Sequence, residues 1–365
     1  MIKAVEHGGN LAHLAALAGY EPTDCIDFSA NINPLGLSRA VRNHLIRELD
    51  HLTVYPDVKQ RQARDYLATY HGLEPENFLL CNGAVEAFYD FARWLQPKRA
   101  WILEPTFLEY RKAFASTGAQ IQSIPLKEPA FTWTFESLRL DLAAVQEGDV
   151  VVLCNPNNPT GTQSSRSELE ELVMWLGRRG AWCLLDEAFI DFIEEEDASL
   201  LPLLQKLEKL VIVRSLTKFF ALPGLRLGYM ATGHATCLEE IRQQRPPWTV
   251  NHLAASALPV LLADTDYQRR TYEWLAKEQA YLYQGLKAFP SLSVHRPTAN
   301  FIFFRYKGQR DLRQRLWEQK LLIRSCWNYP GLGENYYRVG IRSHLENRRL
   351  LEVLGEVLEN EKGDS

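Results

Sequence analysis

A lysine among apolar neighbours is the residue best placed for covalent chemistry. Lys218 lies in an apolar segment just beyond a predicted strand at 210–213. In doubly wound sheets, ligands bind beyond the carboxyl ends of the strands. Partial removal from water lowers the pKa of a lysine and frees its neutral amine as a nucleophile. The segment therefore predicts a reactive lysine in a crevice at the edge of a sheet.

Two further strand ends carry side chains that suit a bound heterocycle. Asp186 follows the predicted strand at 182–185, and Asn158 lies in the proline-rich turn after the strand at 150–154. A carboxylate at a strand end can hold a proton on a ring nitrogen, and the turn fixes an amide at the same edge. An acid, an amide and a lysine are therefore expected to face one ligand.

A phosphate site is predicted beside them. Gly83 follows the predicted strand at 78–81, and the next residue, Ala84, begins a helical pattern. Backbone amides at a helix N-terminus attract phosphate, and a glycine allows close approach. Ser215 and Arg226, on either side of Lys218, could bind the same anion.

Seven short apolar runs must position these residues. Each run is apolar at successive positions, which indicates strands buried on both faces and a mostly parallel sheet with helical crossovers. The runs are 78–81, 100–103, 120–124, 150–154, 182–185, 210–213 and 227–230. Long helical patterns follow residue 250, and four more strands are predicted at 292–294, 300–305, 321–324 and 336–341. We expect an α/β fold with a large seven-stranded domain and a small α+β domain.

The predicted boundaries divide the chain into three parts. Residues 1–50 are expected to form an N-terminal arm and part of the small domain, 51–270 the large ligand-binding domain, and 271–365 the small C-terminal domain. Breakers such as Asn31, Pro34 and Gly36 indicate that the first part is loop-rich.

Composition excludes several classes of protein. The 365 residues carry 41 Lys and Arg against 45 Asp and Glu, a formal charge of -4, so no global field attracts nucleic acid. No apolar run reaches the ~18 residues of a membrane helix. The six cysteines show no metal-binding spacing, so we expect no metal site and interpret them as reduced thiols of a cytoplasmic protein.

The order of the motifs resembles a known family. The chain reads Asn-Pro-x-Asn-Pro-Thr-Gly at 155–161, Asp-Glu-Ala at 186–188, and Ser-x-x-Lys-x-x-x-x-Pro-Gly-x-Arg-x-Gly-Tyr at 215–229. This pattern is similar to the fold-type I pyridoxal-phosphate enzymes of the class I/II aminotransferase family, and the similarity covers essentially the whole chain. It implies pyridoxal 5'-phosphate as the cofactor.

The resemblance also implies a role for each site residue. Lys218 would carry the cofactor and move protons, Asp186 would pair with the pyridinium nitrogen, and Asn158 would bind the ring hydroxyl. The other implied cofactor contacts are Ser215, Arg226, Gly83 and Ala84 at the phosphate, Phe107 stacked on the ring, and Tyr55 reaching the phosphate of a neighbouring subunit. A homodimer with shared active sites follows from that last contact.

The substrate side of the resemblance points to two anions. Arg338 matches the arginine that holds a substrate carboxylate, and Arg324 matches one that meets a substrate phosphate; His7 and Asn33 are implied as further substrate contacts. The segments 7–10, 27–36, 186–192, 247–251 and 323–332 resemble a branch that decarboxylates O-phosphorylated threonine. The expected partner is thus a small phosphorylated amino acid.

Two alternatives remain open at this point. A histidinol-phosphate aminotransferase also handles two anions, because its amino donor glutamate brings a second carboxylate. A non-catalytic cofactor sensor fused to a DNA-binding module would need an additional basic N-terminal domain, and the first ~50 residues contain no basic cluster.

Overall fold

A computed structural model describes residues 8–195 and 198–359. The strands are β1 (Ile26–Asp27), β2 (Phe78–Cys81), β3 (Arg99–Glu104), β4 (Gln120–Pro125), β5 (Val150–Cys154), β6 (Trp182–Asp186), β7 (Leu210–Ser215), β8 (Gly228–Thr232), β9 (Leu292–Val294), β10 (Phe301–Tyr306), β11 (Leu321–Leu322), β12 (Arg324–Ser325) and β13 (Tyr336–Gly340). The helices are α1 (Leu11–Ala18), α2 (Arg39–Glu48), α3 (Arg61–His71), α4 (Ala84–Leu95), α5 (Glu109–Ala115), α6 (Phe135–Asp141), α7 (Arg166–Gly177), α8 (Cys237–Gln244), α9 (His252–Ala263), α10 (Thr265–Lys287), α11 (Leu312–Glu318) and α12 (His344–Glu359).

Seven of these strands form one sheet in the order β2-β8-β7-β6-β5-β3-β4. The five strands from β7 to β4 run parallel, and β8 is antiparallel to both of its neighbours. All seven strands coincide with the seven predicted apolar runs, so the mostly parallel sheet is confirmed. Its inner strands end side by side, which brings the ends of β5, β6 and β7 to one edge.

The sheet is covered on both faces. In β5, Val151 and Leu153 belong to one apolar core, whereas Val150 and Val152 belong to the core on the opposite face. Each of these four side chains is almost completely buried. This two-sided burial is why the sequence shows continuous apolar runs instead of alternation.

A second sheet of four strands has the order β12-β13-β10-β9. Its strands are antiparallel, and α10 and α12 pack against each other beside it. In β12 and β13, Arg324 lies directly opposite Arg338. The small sheet therefore brings the two predicted substrate arginines together.

The N-terminal region contains more regular structure than its breakers suggested. Helix α1 packs its Leu14 against Trp317 of α11, and β1 pairs with β11. Helix α2 begins after Ser38, whose side chain accepts a hydrogen bond from the backbone amide of Val41. The start of this segment is thus attached to α11 and β11, in a two-stranded sheet separate from the small sheet. None of the helices in the described part of the chain is long and apolar enough to cross a membrane.

Candidate active site

A cavity lies beyond the carboxyl ends of β5, β6 and β7. It contains about 480 Å³ of space, counting its open mouth. Its lining includes Ala84, Val85, Phe88, Phe107, Tyr110, Cys154, Asn158, Asp186, Ala188, Phe189, Ser215, Thr217, Lys218 and Arg226. Seven of the residues predicted to bind the cofactor line this cavity: Lys218, Asp186, Asn158, Ser215, Arg226, Ala84 and Phe107. An eighth, Gly83, immediately precedes Ala84.

Lys218 supplies the amine of the cavity. Its Nζ donates a hydrogen bond to Ser215 Oγ at 2.9 Å, and Ser215 Oγ lies 2.9 Å from Thr217 Oγ1. Burial lowers the pKa of Lys218 to about 8, while the nearby carboxylate of Asp186 opposes this shift. A lysine with this pKa is partly neutral near physiological pH and is available as a nucleophile.

Asp186 stands across the cavity at the end of β6. Its Oδ1 accepts a hydrogen bond from the backbone amide of Ala188 at 2.8 Å, and its Oδ2 accepts one from the hydroxyl of Tyr110. Burial raises the pKa of Asp186 to about 6, although both hydrogen bonds oppose the shift. A buried carboxylate of this kind favours a cationic ligand group, because a positive charge offsets the cost of desolvation.

Tyr110 is a site residue that sequence reasoning missed. It is completely buried near the start of α5, and its ring packs edge-on against Phe107 at 5.7 Å and Phe88 at 4.8 Å. Burial and the neighbouring carboxylate raise the pKa of Tyr110 well above its ordinary value, so it donates its proton to Asp186. The spacing from Phe107 could have indicated that Tyr110 belongs to the site, because residues 107 and 110 share a face once a helical turn forms.

Gly83 and Arg226 form the anion-binding end of the cavity. Gly83 precedes α4 with a φ of 80°, and a Cβ at this position would lie 2.5 Å from Arg226 Nη2. The glycine therefore allows the guanidinium to lie against the start of the helix. The first amides of α4, the hydroxyl of Ser215 and this cation together provide donors for a phosphate.

Arg338 connects the cavity to the small sheet. It is buried, and it donates one hydrogen bond to Asn158 Oδ1 and another, of 2.9 Å, to the backbone oxygen of Ser29. Its buried Nε has no hydrogen-bond partner among the described residues. Desolvation lowers the pKa of Arg338. A buried cation with an unused donor next to Asn158 suits a carboxylate ligand.

Arg324 lies beside it in a second, smaller depression. Its Nη2 donates to Asn328 Oδ1 at 2.9 Å, and its guanidinium is 5.3 Å from the centre of the Tyr329 ring. The depression is lined by Arg324, Arg313, Ser29 and residues of the N-terminal segment such as Gly8 and Asn10. Its arginines can attract an anion.

Two predicted residues lie outside the lining of this cavity. Tyr55 is 78% exposed and stacks on Trp248 at 4.6 Å, outside the cavity of its own chain. Asn33 is buried behind Lys218 and donates both amide hydrogens within the protein, to the backbone oxygen of Phe219 and to Thr271 Oγ1, each at 2.8 Å. Asn33 thus positions the lysine segment, and its contact with a substrate stays a prediction. His7 lies outside the described residues.

The cavity fits pyridoxal phosphate in its chemistry. One space is surrounded by a buried amine, an amide and a carboxylate that favours a cationic ring nitrogen. At one end it has a phosphate-binding cradle that a Cβ at Gly83 would fill. Lys218, Asp186, Asn158, Ser215, Arg226 and the start of α4 are the groups that would hold the cofactor.

Known proteins match the chain over nearly its whole length. The chain is 41% identical over 353 residues to the threonine-phosphate decarboxylase of Salmonella typhimurium, covering 96% of each protein. It resembles the crystal structure of the histidinol-phosphate aminotransferase from Clostridium acetobutylicum (TM-score 0.86, 28% identity, 91% of this chain and 99% of that one). It also resembles that of L-threonine-O-3-phosphate decarboxylase from Porphyromonas gingivalis (TM-score 0.80, 25% identity, 91% and 99%). The family described as aminotransferase class I and II matches residues 23–354, and the chain belongs to this family.

Proposed function

We propose that this chain is a pyridoxal-phosphate-dependent carboxy-lyase. Its substrate would be L-threonine O-3-phosphate, and its products would be (R)-1-amino-2-propanol O-phosphate and carbon dioxide. The observation that carries the proposal is the 41% identity to the Salmonella decarboxylase over 96% of both chains. A relative that is 30% identical over 96% of this chain, the adenosylcobalamin biosynthesis bifunctional protein of Leptospira interrogans, associates this reaction with cobalamin biosynthesis.

Histidinol-phosphate aminotransferase is the rival function, and the fold does not distinguish the two. The aminotransferase structure even has the higher TM-score, 0.86 against 0.80. Sequence identity favours the decarboxylase, because it is 41% to the Salmonella enzyme against 31% to the histidinol-phosphate aminotransferase of Geobacillus. Fold-level likeness is a weak guide to reaction type within a family that hosts several reactions.

The cofactor, when bound, supplies an electron sink for negative charge at the α-carbon of the substrate. The protein's residues set up this chemistry. Asp186 holds a proton on the ring nitrogen, and Tyr110 fixes the carboxylate by donating to its Oδ2. Asn158 lies between the ring site and Arg338, to which it is hydrogen-bonded.

The choice of bond depends on the pose of the substrate. Which bond at the α-carbon breaks is set by the orientation in which the protein holds the substrate. Arg338 would hold the substrate carboxylate in the orientation that favours its loss, through its planar fork of donors. After carbon dioxide has left, the amine of Lys218 returns a proton to the α-carbon, so one carbon–carbon bond is exchanged for one carbon–hydrogen bond.

The substrate phosphate would meet Arg324. Directly opposite residues of an antiparallel pair project from the same face, and their Cβ atoms are typically about 4.5–5.5 Å apart. Arg324 and Arg338 form such a pair across β12 and β13. Two cations on neighbouring residues of one sheet face suit a small substrate with a carboxylate at one end and a phosphate at the other.

The proposal includes a homodimer in the cytoplasm. Tyr55 is exposed and lies outside the cavity of its own chain, which supports its predicted contact with the phosphate of a neighbouring subunit. The six cysteines are all unpaired, which supports the prediction of a reducing compartment.

A paired turnover assay tests the reaction. The purified, cofactor-loaded protein is incubated with L-threonine O-3-phosphate, and carbon dioxide and aminopropanol phosphate are measured. A second sample receives histidinol phosphate with 2-oxoglutarate, and glutamate is measured. We expect carbon dioxide from the first sample and no glutamate from the second; the reverse result would replace the decarboxylase by the aminotransferase.

A further inference from the structure

Two histidines and a glutamate form a cluster outside the cofactor cavity. Glu48 ends α2, His51 lies in the short turn that follows, and His252 begins α9. Glu48 Oε2 is 2.8 Å from His51 Nδ1 and 2.8 Å from His252 Nε2. One ligand atom from each of the three residues lies within 4.8 Å of the others.

These distances are close to those of a zinc site. Zinc binds imidazole nitrogen at about 2.0–2.1 Å and carboxylate oxygen at about 2.0–2.2 Å, so tetrahedral donors lie about 3.3 Å apart. The distance from Glu48 Oε2 to each imidazole nitrogen would have to increase by only about half an ångström. The side chain of His51 is 64% exposed, which leaves room for that rotation. Three protein ligands also leave a fourth position for water.

The surroundings favour a cation. Within residues 8–195 and 198–359, the carboxylate of Glu48 forms ion pairs with these two imidazoles and with no lysine or arginine. His44 lies one turn earlier in α2, and its buried Nε2 has no hydrogen-bond partner in the same ranges. His51 and His252 both line an open cleft of the chain, together with Tyr55 and Asp57.

We propose that Glu48, His51 and His252 form a binding site for Zn²⁺ or a chemically similar divalent transition-metal ion. Two imidazoles and a carboxylate are donors that suit this class of ion. The ion would join the end of α2 to the start of α9, two elements that already pack together. It would thereby fix the segment that leads to Tyr55.

Calorimetric titration of the cofactor-loaded protein with zinc chloride, after removal of metals by a chelator, tests the site. The variants are His51→Ala and His252→Gln, which remove ligands from separate elements. His344→Ala is the matched control, because His344 Nδ1 lies 3.2 Å from Glu278 Oε1 and its side chain is 48% exposed, yet no second imidazole belongs to that pair. Melting temperatures without metal establish that each variant is folded.

We expect one zinc ion per chain for the unaltered protein and for His344→Ala. Both ligand variants should bind zinc at least about tenfold more weakly, since even changes around the direct ligands typically cost that much. Zinc should also raise the melting temperature of the unaltered protein and leave that of the ligand variants unchanged. Absence of saturable zinc binding, or an affinity of His51→Ala and His252→Gln equal to that of the unaltered protein, would overturn the proposal.

Discussion

Replacing Tyr110 by Phe removes the hydroxyl that donates to Asp186 and retains the aromatic packing. A hydrogen bond to a charged group contributes about 1.5–3 kcal/mol, which corresponds to about one to two pKa units. Because this bond lowers the pKa of Asp186, which lies at about 6, the variant's carboxylate should titrate above 7. At pH 7 the variant therefore holds less negative charge opposite the ring nitrogen, and its affinity for pyridoxal phosphate should fall about two- to tenfold.

The assay is a titration of the cofactor-free protein with pyridoxal phosphate at several pH values. Ionised Asp186 favours the protonated ring, so affinity should rise with pH through the pKa of Asp186. The midpoint of this acid limb should move upward in Tyr110→Phe. Tyr89→Phe is the matched control, because the Tyr89 hydroxyl donates to Glu109 at 3.1 Å instead. An unchanged midpoint in Tyr110→Phe would refute the assigned role.

Three further predictions concern other parts of the site. Arg338→Lys should lower kcat/KM for threonine phosphate by at least about tenfold with little change in cofactor affinity, because lysine lacks the planar fork; steady-state kinetics and a cofactor titration measure both. The rate at which pyridoxal phosphate attaches to Lys218 should rise with pH and level off above about 8, since only the neutral amine attacks; stopped-flow absorbance follows it. Gly83→Ala should weaken cofactor binding, because its Cβ would lie 2.5 Å from Arg226, whereas Gly118→Ala, with a similar φ and open space, should not. Both variants should lose about 1–3 kcal/mol of stability in denaturant titrations, because an L side chain rarely adopts either backbone conformation.

The sheet could be predicted from the sequence because burial on both faces leaves a local signature. Val150 to Cys154 and Leu210 to Val213 are apolar at every position or nearly so, which no exposed strand requires. The order of the strands could not be predicted in the same way. The pairing of β8 with β7 is local, as in Ser215 with Gly228. The antiparallel pairing of β8 with β2, in contrast, joins residues more than a hundred positions apart, such as Phe78 with Ala231.

The residues of the candidate site likewise differ in whether a local sequence pattern could locate them. Lys218, Asp186 and Asn158 each follow a strand, so a local pattern located them. The contact between Tyr110 and Asp186 spans 76 residues, and the contact between Arg338 and Asn158 spans 180. The pairing of His252 with Glu48 spans 204 residues, which is why the spacing of histidines and cysteines predicted no metal site.

In the N-terminal region, the residues that indicate a loop lie next to a residue that indicates the start of a helix. Asn31, Pro34 and Gly36 indicate a loop, and the stretch that they occupy contains no helix or strand. Ser38, immediately after them, is a typical helix N-cap, and its side chain caps α2. The domain boundaries at residues 50 and 270 stay predictions.

Reaction of threonine phosphate in deuterated water tests the central claim most directly, because it distinguishes loss of the carboxylate from transfer of the amino group. With the cofactor-loaded protein and no 2-oxo acid, mass spectrometry should find one carbon dioxide for each amine product. That product should carry one non-exchangeable deuterium, at the carbon that held the carboxylate, and Lys218→Ala should form none of it. A product that keeps its carboxylate as a 2-oxo acid, or unimpaired turnover by Lys218→Ala, would contradict the account.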